Sequence, residues 1–193
     1  MNTPWFPRAG AALAVALGLP LKAALLCATL AVAGAAHAHL MVAQKGTLNF
    51  KGDGAYLLLS VPVSALKKTD DNGDGALSPA ELQAHQAEIK KQLLAGLQLR
   101  RNGQALPLEG LMLTLSPPDD AHQLPARQVV VMGKYTAQGE AVEKDNAHYT
   151  FTLKLWGSTS AEAHHSMTIT RPSAKRVVHF NRSRTTQTLF APR

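Results

Sequence analysis

Apolar and polar residues alternate along much of the chain in short runs separated by turn signals, the period-two pattern of strands that bury one face. Strands are predicted over residues 40–43, 47–51 and 56–63, with Asp53-Gly54 turning the chain between the last two. Runs at 97–101 and 104–108 flank Asn102-Gly103, a dipeptide favoured in two-residue hairpins because both positions tolerate positive φ. Further strands are expected at 111–115, 128–136, 148–156, 167–171, 176–180 and 187–190, with linkers over 116–120 and 139–146. This succession predicts a mainly β, Ig-like β-sandwich. One stretch departs from it: Leu82, His85, Ile89 and Leu93 recur at spacings of three and four, while Glu88, Lys90 and Lys91 fall off that stripe. Ser78-Pro79-Ala80-Glu81 precedes the stripe with capping-box spacing and proline at the first helical position, so one helix is predicted over 79–94.

The residues leading into that helix carry the most specific chemistry in the chain. Asp70-Asp71-Asn72-Gly73-Asp74-Gly75-Ala76-Leu77-Ser78-Pro79-Ala80-Glu81 satisfies the EF-hand calcium-loop pattern at each required position. A hard cation asks for oxygen donors. The loop offers the side chains of Asp70, Asn72 and Asp74, the Ala76 carbonyl, Ser78 directly or through water, and Glu81 as the closing carboxylate. Gly75 falls where the backbone turns sharply, and Leu77 where an apolar side chain points inward. An Asp, Asn and Gly run is also the composition of an ordinary solvated turn; the helix start that follows at the right spacing favours the calcium reading. The segment before the loop holds Pro62 and leaves room for one helical turn at most, and no second acidic loop of this kind occurs. A paired sensor is therefore not expected. A lone loop with three acidic ligands and Lys67 and Lys68 beside it points to a structural staple of modest affinity, about 10⁻⁴ to 10⁻³ M.

The first residues set the compartment. Arg8 and Lys22 with no acid, an apolar run over 23–35 and Ala36-His37-Ala38 form the three parts of a secretory signal peptide. Pro20 and Lys22 divide the apolar sequence into pieces shorter than the roughly 20 residues a spanning helix needs. The expected domains are a signal peptide at 1–38 and a β-sandwich at 39–193, with the calcium loop and helix inserted at 70–95. Cleavage would lower the formal charge from +7 to +5 and remove Cys27, the single cysteine, so the exported chain has neither a disulfide nor a thiolate metal site. A secreted, periplasmic protein is expected. Its positive charge is spread over the chain with no nucleic-acid-binding motif, so nucleic acid is not an expected partner, whereas an anionic membrane or a periplasmic protein is.

A signal peptide ending before a histidine, a Ser-Ala-Leu turn at 64–66, the Asp-rich loop, a helix and a hairpin resemble the extracytoplasmic N-terminal region of HupE/UreJ-type membrane proteins over residues 38–108. That resemblance implies a metal-transport accessory. This chain shows no spanning series after the region, so the resemblance implies a free-standing periplasmic relative and carries over no transport activity.

Copper is the alternative cofactor. Cleavage after Ala38 makes His39 the N-terminus, where amine and imidazole can chelate copper in the manner of a histidine brace. His165 and Met167 form a His-x-Met whose side chains would share one face of a strand, and imidazole with thioether suits copper. Met41 and Met132 are further thioethers. A histidine pair in a loop is usually solvated and methionine is usually core filler, so calcium remains the leading expectation. No Gly-x-Ser-x-Gly, His-Glu-x-x-His or phosphate loop occurs, and a non-enzymatic binding module is expected.

Overall fold

A computed structural model describes residues 43–116, 126–137, 141–142 and 146–192. Strands β1 (Lys45–Lys51) and β2 (Gly54–Pro62) form a hairpin, followed by a 3-10 turn at Val63–Ala65, the acidic loop, and helices α1 (Pro79–Ala84) and α2 (Gln86–Gly96). Then come β3 (Leu97–Arg101), β4 (Gln104–Ala105), β5 (Leu108–Ser116), β6 (Gln128–Thr136), β7 (Tyr149–Leu153), β8 (His164–Arg171), β9 (Ala174–Asn181) and β10 (Thr186–Phe190). They build two sheets, one of six strands in the order β5-β6-β2-β1-β8-β9 and one of four in the order β10-β7-β3-β4. The fold is the expected mainly β sandwich. All neighbours run antiparallel except β1 and β8, which pair in parallel with Gly46 opposite Met167 and Leu48 opposite Ile169.

Alternation explains which faces are buried. Along β1, Gly46, Leu48 and Phe50 are buried and their neighbours exposed, whereas in β2 Ala55, Leu57, Leu59 and Val61 are buried and, of the residues between and beside them, only Tyr56 is exposed, since β2 lies inside the larger sheet between β1 and β6. A β-carbon at Gly46 would sit 2.8 Å from Leu59 Cδ1, so glycine there permits close approach of the neighbouring strand. Aromatic rings then join the sheets. Phe50 meets Tyr149 at 4.9 Å and Phe190 at 5.2 Å, and Phe151 meets Tyr135 at 6.1 Å and Phe180 at 5.8 Å, all edge-to-face. Each pair takes one ring from each sheet, so edge-to-face packing, worth about 0.5–1.5 kcal/mol per pair beyond burial, acts across the sandwich.

The crossover between sheets positions the candidate site. β2 lies in the larger sheet and β3 in the smaller, and the acidic loop and both helices connect them. The expected stripe is the buried face: Ile89 and Leu93 are fully buried, Leu82 and His85 half-buried. The helix itself differs from expectation, being interrupted at His85 (φ −102°, ψ +10°). Hydrogen bonding continues through the break, from His85 N–H to the Glu81 carbonyl and from Ile89 N–H to the His85 carbonyl, both 2.9 Å. The bend coincides with a side-chain attachment of His85 to the acidic loop. Other boundaries shift as well. β4 ends at Ala105, two residues before Pro107, which has no N–H to donate. β8 begins at His164, three residues earlier than expected, because β9 pairs along its whole length from His164 opposite Asn181 to Arg171 opposite Ala174. Of the strand expected at 40–43, residues 40–42 lie outside the described residues and Ala43 is in a turn. Asn102 (φ +51°) and Gly103 (φ +85°) form the hairpin turn their identities suggested.

Replacement of Phe151 by alanine, which removes a ring touching both Tyr135 and Phe180, is expected to cost about 3–5 kcal/mol of stability by chemical denaturation; a loss below about 1 kcal/mol would be incompatible with this packing.

Candidate calcium loop

The loop is shaped by its own side chains. Asp70 Oδ1 accepts from Gly73 N–H at 2.7 Å and its Oδ2 from Gly75 N–H at 2.9 Å. Asn72 Oδ1 accepts from Asp74 N–H at 2.9 Å, and Asp74 Oδ1 from Ala76 N–H at 2.8 Å. Asn72 Nδ2 donates to Asp74 Oδ2 at 3.1 Å. The three side chains expected as ligands therefore turn back over the loop instead of extending into solvent, each satisfying a backbone donor. Gly73 and Gly75 take φ of +73° and +77°, with nothing within 4 Å of where a β-carbon would lie. They are required for backbone conformation and not for space.

Glu81 closes the loop from α1. Its side chain is 9% exposed. Oε1 accepts from Asp71 N–H at 2.9 Å, while Oε2 accepts from Ser78 N–H at 2.9 Å and the Ser78 hydroxyl at 2.7 Å. Ser78 Oγ in turn accepts from Glu81 N–H at 3.2 Å, completing the expected capping box. These donors favour the charged form. The Ser78 backbone N–H, then its hydroxyl, then the Asp71 N–H outweigh burial and hold the Glu81 carboxyl down at about 2. Because Oε2 already accepts two hydrogen bonds, a bidentate grip on a cation would require the Ser78 hydroxyl to release it, which frees the same hydroxyl as a ligand. Among the described residues no three His, Cys, Asp or Glu side chains are already gathered as a cage for a metal ion. The donor set, all oxygen and largely anionic, fits calcium by its chemistry.

Three attachments hold this loop and the segment before it, one to Ala126 ahead of β6 and two to the helical segment, and none was expected from the sequence. Leu77, fully buried, pairs its backbone with Ala126, donating at 2.8 Å and accepting at 3.0 Å. His85 Nε2 lies 2.9 Å from both oxygens of the Asp71 carboxylate. Gln92 clamps the chain ahead of the loop, its Oε1 accepting from Lys67 N–H at 2.8 Å and its Nε2 donating to the Lys67 carbonyl at 2.9 Å. His85 carried a local signal, four residues beyond Glu81 on the helix stripe. Ala126 and Gln92 carried none.

The residues of the copper alternative are separated in their surroundings. His165 and Met167 do share a face of β8, and that face is the interior, with the two side chains 1% and 0% exposed. Met167 belongs to the hydrophobic core. His165 Nε2 faces the Leu155 carbonyl at 2.8 Å, so it carries the ring proton and donates it. Its Nδ1 is buried with no partner among the described residues, and the ring lies 5.4 Å from that of Trp156. Burial pushes the His165 pKa down against the opposing pull of the Leu155 carbonyl, which keeps the ring neutral. His39 and Met41 lie outside the described residues, and Met132 pairs across strands with Met112 on the outer face of the larger sheet. No protein-family model matches the chain, and no curated protein matches it significantly.

The depressed Glu81 carboxyl gives a pH signature without calcium. Its stabilising contribution is fully present above the ordinary value of 4.5 and is lost as pH falls through about 2. In calcium-free buffer the stability gap between wild type and Glu81→Gln, read by urea denaturation, is expected to be constant above pH 4.5 and to shrink steadily toward pH 2; a gap independent of pH would exclude a hydrogen-bonded Glu81 carboxylate.

Proposed function

We propose that this chain is a secreted, periplasmic calcium-binding protein in which one EF-hand-like loop, at Asp70 to Glu81, stabilises a non-enzymatic β-sandwich acting as a binding or interaction module. The observation that carries the reading is Glu81, a buried carboxylate held ionised by donors from both the start and the end of the acidic segment. Such a group costs free energy in isolation, and a divalent cation facing it would offset that cost and the repulsion of Asp70 and Asp74. Asp70, Asn72 and Asp74 would hold the ion through side-chain oxygens, Ala76 through its carbonyl, Ser78 directly or through water, and Glu81 through its carboxylate. The contacts of Leu77 with Ala126, Asp71 with His85 and Lys67 with Gln92 would couple any tightening of the loop to the helices and to the segment ahead of β6. The copper reading, with His39, His165 and Met167, loses ground because the Met167 thioether is enclosed in the core.

Calorimetric titration of chelator-stripped protein is expected to give one saturable calcium site with a dissociation constant of about 10⁻⁴ to 10⁻³ M, weakened severely in Glu81→Gln. At about 1 mM calcium and a constant near 10⁻⁴ M the ion should add about 1.4 kcal/mol to stability in wild type and almost nothing in Glu81→Gln. Equal melting temperatures with and without calcium would remove the structural role.

A further inference from the structure

A recess lined in part by Gln92 lies beside the segment that leads into the loop. It has a volume of about 750 Å³ and opens between the segment leading into the loop, α2 and the chain just after β7. Its walls combine two chemistries. Leu155 is buried and supplies an apolar wall, and Gly96 packs so closely against it that a β-carbon there would meet Leu155 at 2.8 Å. Around this wall stand Lys67, Lys68 and Lys154, all exposed, and none of the three ammonium groups has a carboxylate partner among the described residues. The one acid lining the recess among the described residues, Glu88, is occupied by Lys91 at 3.9 Å and by Gln92 Nε2 at 3.3 Å.

We propose that this recess binds a small organic anion, a carboxylate carried on an apolar body, with the three lysines receiving the charge and Leu155 the apolar part. Size supports this, because sites for small molecules typically measure about 300–1,000 Å³ and combine apolar walls with a few converging polar groups. Three like charges held around one hollow repel each other and raise the local concentration of an anion. Lysine ammoniums are point charges suited to a carboxylate approached from several directions. Among the described residues no aromatic ring lines the recess, so they offer none of the stacking platform that single-stranded nucleic acid uses. The backbone hydrogen bonds of Gln92 to Lys67 hold two of the lysines on a fixed turn, and Lys68 itself is held at φ +57°. The proposal stands independently of calcium binding.

The test is calorimetric titration of the purified protein with decanoate, with decanol as the uncharged control. Decanoate is expected to bind saturably at one site and decanol at least about tenfold more weakly. Joint replacement Lys67→Gln, Lys68→Gln and Lys154→Gln should weaken decanoate by about tenfold or more without lowering the melting temperature, whereas Lys175→Gln on β9 should leave it unchanged. Ala95→Trp, at an exposed lining position, should fill the hollow and abolish binding while the lysines remain. Equal affinity for decanoate and decanol, undiminished binding in the triple variant, or association with phosphatidylglycerol vesicles and not with soluble decanoate would each overturn the proposal.

Discussion

The structure depends on how the chain crosses from one sheet to the other. β2 and β3 are consecutive strands in different sheets, and the crossover between them must satisfy its own backbone donors away from any ladder. Side-chain oxygens do this work: Asp70, Asn72, Asp74, Ser78 and Glu81 each accept from a nearby N–H. Only residues with short, oxygen-bearing side chains can fold back in this way, and only glycine takes the positive φ that two of the turns require without strain.

That solution concentrates negative charge. Backbone donors hold the carboxylates in place yet do not neutralise them, and the basic neighbours Lys67 and Lys68 have no ion pair with the loop among the described residues. A geometry made by carboxylates accepting N–H groups is thus also one that a divalent cation would relieve. His85 beside Asp71 belongs to the same balance, since it ties the acid next to the first candidate ligand to the point where the helix bends. The loop, the bend and the helix stripe act as one unit resting on Ile89 and Leu93.

The two proposed sites divide the crossover by charge. Calcium would occupy the acidic turn and an organic anion the lysine-rimmed recess beside it, with Gln92 fixing the backbone between them. Metal affinity would come from oxygen donors close in sequence. Anion affinity would come from Lys154 lining the same recess as Lys67 and Lys68, far from them in sequence.

Sequence alone determined the features whose physics is local. The acidic loop, the turn at Gly75, the capping box, the stripe ending in Ile89 and Leu93 and the Asn102-Gly103 turn were all readable, because each depends on residues within a few positions of one another. Strands 97–101 and 128–136 were found with their full extent because their alternation and turn signals agree. Tertiary structure decided the rest. Alternation states that a strand has a buried face but not which strand lies beside it, so the parallel pairing of β1 with β8 and the bridge from Leu77 to Ala126 had no sequence signal. His165 and Met167 show the same limit: period two placed them on one face correctly, and only packing against the opposite sheet made that face the interior. The placing of Lys154 in one recess with Lys67 and Lys68 likewise joins segments distant along the chain, where spacing carries no information.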